Sequence, residues 1–136
     1  MSGTSRRNAV EQTLSLVVAD DDPDILRLLA RRLSRRGYTV VTAADGRTAL
    51  EAVLRTRPHA VVLDRVMPSM SGEEVCAALK LDERTASIPI VLLSAQASER
   101  EIVEGFKIGA DDYLTKPFDL DELDERLRRL VAGAGA

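Results

Sequence analysis

The chain of 136 residues has a single cysteine, a single histidine and no apolar run longer than about five residues. Each shortage excludes something. The lone Cys76 cannot close an internal disulfide, and its place among apolar residues of a helical pattern marks a packed thiol. Zinc is disfavoured, because His59 stands at the start of a β-prone run and Cys76 has no neighbouring ligand. The apolar runs fall far short of a membrane span, and the first residues lack the apolar stretch of a secretory signal. A cytoplasmic location without membrane contact is therefore expected. Positive charge is lacking overall as well. A net charge of −3 offers no general attraction to nucleic acid or anionic lipid, so partners must be recognised locally.

What is present is the composition of a soluble globular protein, 45% hydrophobic and 30% charged, at a length that suits one compact domain. Residues 1 to about 13 are polar and unpatterned, and residues 132–136 end in Gly133, Ala134, Gly135 and Ala136; both are read as flexible ends of a domain spanning 14–131. Between them, β-prone runs at Leu16 to Ala19, Tyr38 to Thr42, Ala60 to Leu63, Ile90 to Leu93 and Asp112 to Thr115 alternate with five helix-patterned stretches. The central runs are continuously apolar, as expected of parallel strands covered on both faces. The fold class is α/β.

Local chemistry marks the helix ends. Asp22 can cap the first helix with Pro23 at its opening position, Ile25, Leu26, Leu29 and Leu33 form its apolar stripe, and Gly37 follows its end. Ser71 with Glu74, and Ser98 with Glu101, have capping-box spacing. The last helix carries Asp119, Asp121 and Glu122 at its start, and Arg126, Arg128 and Arg129 toward its end, an order that suits the helix dipole. Leu120, Leu123, Leu127 and Leu130 form its buried stripe.

The acidic residues stand where strands end. The first run delivers Asp20, Asp21 and Asp22, and the third delivers Asp64 just before Arg65, Val66, Met67 and Pro68. In open α/β sheets ligands bind beyond the carboxyl ends of strands where the winding reverses, which for a flavodoxin-like order lies between strands one and three. Asp20, Asp21 and Asp64 would meet there. Carboxylates so gathered repel one another unless a proton or cation intervenes. Magnesium, which uses one or two carboxylates and completes its shell with water and phosphate, suits them better than calcium, with manganese a substitute. Asp22 is better explained as a cap. Taken singly the other acids could be caps too; Ser94 at the end of the fourth run and Lys116 at the end of the fifth change that judgement. A metal, a hydroxyl and an ammonium can each address one oxygen of a phosphoryl group. Pro117 is a candidate cis proline that would turn the chain and aim Lys116 over the rim.

With these blocks assembled, Val17-Val18-Ala19-Asp20-Asp21-Asp22-Pro23, Val62-Leu63-Asp64-Arg65-Val66-Met67-Pro68 with Gly72, Val91-Leu92-Leu93-Ser94-Ala95, and Gly109 to Phe118, the chain resembles the receiver domains of two-component response regulators. The resemblance runs from about Leu14 to Val131. It implies a flavodoxin-like (βα)5 doubly wound, five-stranded parallel sheet of order 2-1-3-4-5. It further implies that Asp64 is the phosphoacceptor, fed by phosphohistidine of a histidine kinase or histidine phosphotransfer protein, or by acetyl phosphate. Asp21 and Asp64 would bind magnesium directly, Asp20 mainly through water, and the Val66 backbone carbonyl would add an oxygen. Ser94 and Lys116 would contact the phosphoryl group. On phosphorylation Ser94 would move toward it and Tyr113 turn inward, repacking the face of the fourth helix, fifth strand and fifth helix for a downstream protein, an output domain or a phosphorylation-linked homodimer. The domain would be a switch that promotes its own phosphorylation and dephosphorylation, not an enzyme acting on others.

Some positions depart from the family pattern. Ser94 replaces a frequent threonine and keeps the hydroxyl, while His59 stands where aspartate is common, away from the rim. Val66 and Gln96, two residues beyond Asp64 and Ser94, occupy positions that influence attack by water; apolar Val66 offers water no side-chain help. Arg27, Arg31 and Arg35 share one face of the first helix, usually only a solvated face, and more sharply a surface that selects the phosphodonor. A haloacid-dehalogenase-like phosphatase would need an aspartate at position 66. A pseudo-receiver would not need the full set of Asp20, Asp21, Asp64, Ser94 and Lys116, and direct nucleic-acid binding lacks a reading helix.

Overall fold

A computed structural model of the chain describes residues 13–95 and 98–135. The expected N-terminal segment, apart from Thr13, and Gln96 lie outside the described residues. Five strands, β1 (Ser15–Ala19), β2 (Thr39–Ala43), β3 (Ala60–Asp64), β4 (Ile90–Ser94) and β5 (Asp112–Thr115), alternate with α1 (Pro23–Arg35), α2 (Gly46–Thr56), α3 (Gly72–Leu81), α4 (Glu99–Ile108) and α5 (Leu120–Gly135). All pairings are parallel and the order is β2-β1-β3-β4-β5, the doubly wound flavodoxin-like arrangement expected.

Every residue of β3 and β4 is buried, which is why their sequences are apolar without alternation. Side chains of successive residues point to opposite faces and so feed two separate cores. On one face, Leu29 and Leu33 of α1 and Leu123 and Leu127 of α5 cover Leu16, Val18, Val62, Val91 and Leu93. On the other, α2 and α3 place Ala49, Ala52, Val53, Val75, Cys76 and Leu79 over Val17, Val61, Leu63, Ile90 and Leu92. Cys76 is buried there, and burial pushes its thiol up to about 11, so it packs as an unreactive thiol.

The caps form as the sequence predicts. Asp22 accepts backbone N–H groups of Asp24 and Ile25 at the start of α1 with Pro23 in the first position, and Ser71–Glu74 and Ser98–Glu101 each close a reciprocal capping box. Two boundaries differ. Tyr38 precedes β2 because its N–H is used by the Leu33 carbonyl, closing α1, and its ring is buried among the α1 and α5 residues. The helix α5 continues to Gly135, through residues expected to be an irregular tail, with Ala132, Gly133 and Ala134 exposed. Arg126, Arg128 and Arg129 therefore sit mid-helix and not at its dipole end. Their role is different: they pair one turn back with Glu122, Asp124 and Glu125.

Candidate functional site

Asp20, Asp21 and Asp64 converge at the carboxyl ends of β1 and β3, where the winding order reverses. Asp20 leaves β1 directly, its N–H bonded to the Ala43 carbonyl, and its side chain is only 1% exposed. Asp21 points outward and is exposed, whereas Asp64, the last residue of β3, is buried. The sheet's ladder continues past the strands: Arg65 N–H donates to the Leu93 carbonyl and Lys116 N–H to the Ser94 carbonyl, both at 2.7 Å. These bonds hold residues 64, 94 and 116 in register along one rim. Asp21, Asp64, Arg65, Val66, Ser94 and Lys116 line a cleft of ≈ 490 Å³ there.

Gly72 makes the rim compact. A Cβ at that position would lie 2.4 Å from the Asp64 carbonyl oxygen, so only glycine lets α3 begin against the strand that carries this acid. The Gly72 N–H in turn donates to the Arg65 carbonyl at 2.8 Å.

Charge is crowded in this cleft. One carboxylate oxygen from each of Asp20, Asp21 and Asp64 lies within 4.8 Å of the others. Lys116 Nζ donates to Asp20 Oδ2 at 2.8 Å and stands 3.5 Å from Asp64 Oδ1, while Asp20 Oδ1 accepts the Asp22 N–H at 2.9 Å. Burial pushes the Asp64 carboxyl above its ordinary value, the Asp20 charge adds to this, and Lys116 pulls against both. Burial also acts on Lys116, but the carboxylates of Asp20 and Asp64 outweigh it and raise its pKa. One cation facing three acids leaves the cluster net negative. An all-oxygen donor set of this kind fits a hard divalent cation and gives zinc no nitrogen or sulfur ligand. The Lys116–Pro117 peptide bond is cis, at the position singled out in the sequence.

Tyr113 lies on β5 opposite Leu92, below the rim and on the α4 side. Its ring is turned inward, and its hydroxyl is buried without a hydrogen-bond partner among the described residues. Burial raises its pKa, and the Ser94 hydroxyl and the Arg65 charge oppose that shift. A Cβ at Gly105 of α4 would come within 3.0 Å of the tyrosine ring, so α4 approaches Tyr113 as closely as glycine permits. His59 lies at the opposite end of the sheet, where its Nδ1 accepts the Ser15 N–H at 2.9 Å.

Two features of the site are not apparent from the sequence pattern. Arg65 forms ion pairs with Glu73 of α3, at 3.4 Å, and Glu101 of α4, at 2.9 Å. Gly105, an isolated glycine inside a helical pattern, is the only hint of the close approach to Tyr113.

A family model for the response regulator receiver domain matches residues 16–128. The chain belongs to this family. Among curated relatives, the response regulator MprA of Mycolicibacterium vanbaalenii is 47% identical over 116 residues, covering 85% of this chain and 49% of that protein. The DNA-binding dual master transcriptional regulator RpaA of Synechocystis is 40% identical over 116 residues, covering 85% of this chain and 48% of that protein. The receiver domain thus spans about half the length of these relatives. Among solved structures, the chemotaxis response regulator CheY4 of Vibrio cholerae is 32% identical with a TM-score of 0.82, covering 88% of this chain and 99% of that one. The domain is a receiver of two-component signalling, and its acidic cluster stands where a phosphorylation site of this family is expected. No helix among the described residues is long and apolar enough to cross a membrane.

Proposed function

We propose that Asp64 is the phosphoacceptor of a signalling switch and that Asp20, Asp21, Asp64 and the Val66 carbonyl hold the magnesium ion that the reaction needs. The observation that carries this reading is Lys116 Nζ held at 2.8 Å from Asp20 and 3.5 Å from Asp64, in a cleft whose three carboxylates lie within 4.8 Å. An Asp64 oxygen attacks the phosphorus of a phosphohistidine, the P–N bond breaks and the imidazole leaves with its electron pair. The product is an acyl phosphate, which water later hydrolyses to return the carboxylate. A magnesium ion held by these acids, or manganese in its place, would supply neutralisation of phosphoryl charge; Lys116 stabilises a second oxygen and the Ser94 hydroxyl a third. With Val66 63% exposed and apolar at the cleft mouth, its side chain orients no water. Most of the acceleration is positioning and electrostatics.

The donor is a histidine kinase or histidine phosphotransfer protein in the cytoplasm. Beside Lys116 an apolar groove of ≈ 430 Å³ runs between Ile25, Leu28 and Leu29 of α1 and Pro117 and Phe118, with exposed Arg27 and Arg31 on the same helix, a surface suited to an apolar helix face with acidic flanks. Output passes through Ser94 and Tyr113 to the face of α4, β5 and α5, where Val103 and Phe106 are exposed, toward a downstream protein, an output domain or a second phosphorylated copy. DNA contact by this domain itself is not part of the reading.

Intact mass after incubation with magnesium and acetyl phosphate tests the acceptor. A phosphoryl adduct on the wild type and none on Asp64→Ala is expected; an unmodified wild type, with phosphohistidine donors failing as well, would sink the switch. Arg27→Glu with Arg31→Glu should slow transfer from a phosphohistidine protein and leave the acetyl phosphate rate unchanged. Equal slowing of both would remove these arginines from donor recognition.

A further inference from the structure

Arg65, the residue after Asp64, is joined to more of the switch than its place on a loop suggests. Its N–H is fixed to β4 by the Leu93 carbonyl, and its side chain is 28% exposed with the Nε atom buried and unpartnered among the described residues. The guanidinium spans two helix starts, meeting Glu73 in the first turn of α3 and Glu101 in the first turn of α4. Glu101 is used twice. Its Oε1 accepts the Ser98 N–H at 3.1 Å to close the capping box of α4, while its Oε2 pairs with Arg65 at 2.9 Å. One turn further along, Gly105 of the same helix rests against the inward ring of Tyr113. The first turn of α4 is therefore tied to the residue that follows the acceptor, and its middle is packed on the tyrosine.

We infer that Arg65 is a positioning residue that holds α4, through Glu101, in the arrangement that keeps Tyr113 buried, and so biases the domain toward the phosphoryl-competent state. The inference rests on the reading of Asp64 as phosphoacceptor and Tyr113 as the switch. Its physical basis is linkage: a contact made in only one of two arrangements shifts their ratio, and the same factor appears in the affinity of any ligand selective for that arrangement. A guanidinium can serve both carboxylates at once, whereas an ammonium acts as a single point charge. Arg65→Lys should accordingly keep part of the effect and Arg65→Met none.

The chain has two tyrosines, so fluorotyrosine labelling gives two 19F resonances, assigned with Tyr38→Phe. In protein without metal or phosphodonor, Arg65→Met and Glu101→Gln should move the Tyr113 resonance in the same direction, toward its solvent-exposed position. The glutamine keeps one oxygen for the capping bond and loses the charge and the second acceptor that meet Arg65. In parallel, affinity for beryllofluoride with magnesium should fall about threefold to tenfold in each, the coupling expected of residues in contact. The double variant should be no weaker than either single one, and Arg65→Lys should lie between wild type and Arg65→Met. Cooperative melting of each variant establishes that it is folded. An unmoved Tyr113 resonance in folded Arg65→Met and Glu101→Gln would overturn the inference, as would additive losses in the double variant. Failure of the wild type to bind beryllofluoride would count instead against the phosphoacceptor reading, and the resonance comparison would still decide the role of Arg65.

Discussion

Two tyrosines, one on each side of the sheet, are buried to similar extents and held in different ways. Tyr38 sits on the α1/α5 side, donates its hydroxyl to Asp124 and carries the Arg128 guanidinium 4.9 Å above its ring. Asp124 also receives Arg36 and Arg128, and Arg36 reaches Asp121, so one network ties the end of α1 to α5. Tyr113 sits on the α4 side with a buried hydroxyl that has no hydrogen-bond partner among the described residues and a ring confined mainly by Gly105 and the core. A polar group that is buried and satisfied resists displacement, whereas one that is buried and unsatisfied loses little by leaving. The two faces thus differ in how their buried hydroxyls are held, and β3, which carries Asp64, lies between them.

The sharpest break of this comparison is the removal of each hydroxyl. Tyr38→Phe should cost about 1–2 kcal/mol, because it deletes a hydrogen bond to a charged acceptor and leaves Asp124 less satisfied. Tyr113→Phe should stay within about 0.5 kcal/mol of wild type, since no partner is lost. Chemical denaturation of the two variants under one condition decides it. Equal losses would mean that Tyr113 is anchored by a bond of comparable strength and that the two sides do not differ.

Much of this was legible beforehand where chemistry is local. A cap and the N–H that donates to it lie within three residues, as for Asp22, Ser71 and Ser98, and a strand buried on both faces is apolar along its length, as in β3 and β4. The rim was legible because strand ends in a parallel sheet share one edge, so Asp20, Asp64, Ser94 and Lys116 converge once the order is known. What escaped depends on partners far apart in the chain. Tyr38 and Asp124 are 86 positions apart, and nothing in either segment names the other. The arginines of α5 looked like dipole partners because glycines at 133 and 135 suggested an end. A glycine costs a helix only about 1 kcal/mol, and the helix runs on through both positions. Nothing in the segment around Arg65 names Glu73 or Glu101, its partners from two other elements.

The same division sets opposite pH responses for buried Asp64 and half-buried Asp124, and this is the finer test. Burial opposes the charge on Asp124, but hydrogen bonds from Tyr38, Arg36 and Arg128 prevail and hold its carboxyl below the ordinary value. Its stabilisation is present above the carboxylate pKa of the unfolded chain and is lost as pH falls through the folded value. Asp64 is displaced the other way by burial and the Asp20 charge. Its protonated form is the favoured one in the fold, so stability is complete below the unfolded pKa and declines as pH rises through the folded value. In metal-free buffer at neutral pH, Asp124→Asn should therefore lose about 1–2 kcal/mol and Asp64→Asn should gain about 0.5–1 kcal/mol. Both differences should shrink as the carboxylates protonate in acid, from opposite sides of wild type. Denaturant midpoints measured from neutral pH down the acid limb follow both, and a destabilised Asp64→Asn would show that Lys116 outweighs the repulsion among the acids. The expected gain has a physical reading: a carboxylate that destabilises its own fold when ionised beside other carboxylates is one whose charge a cation in that cleft would relieve.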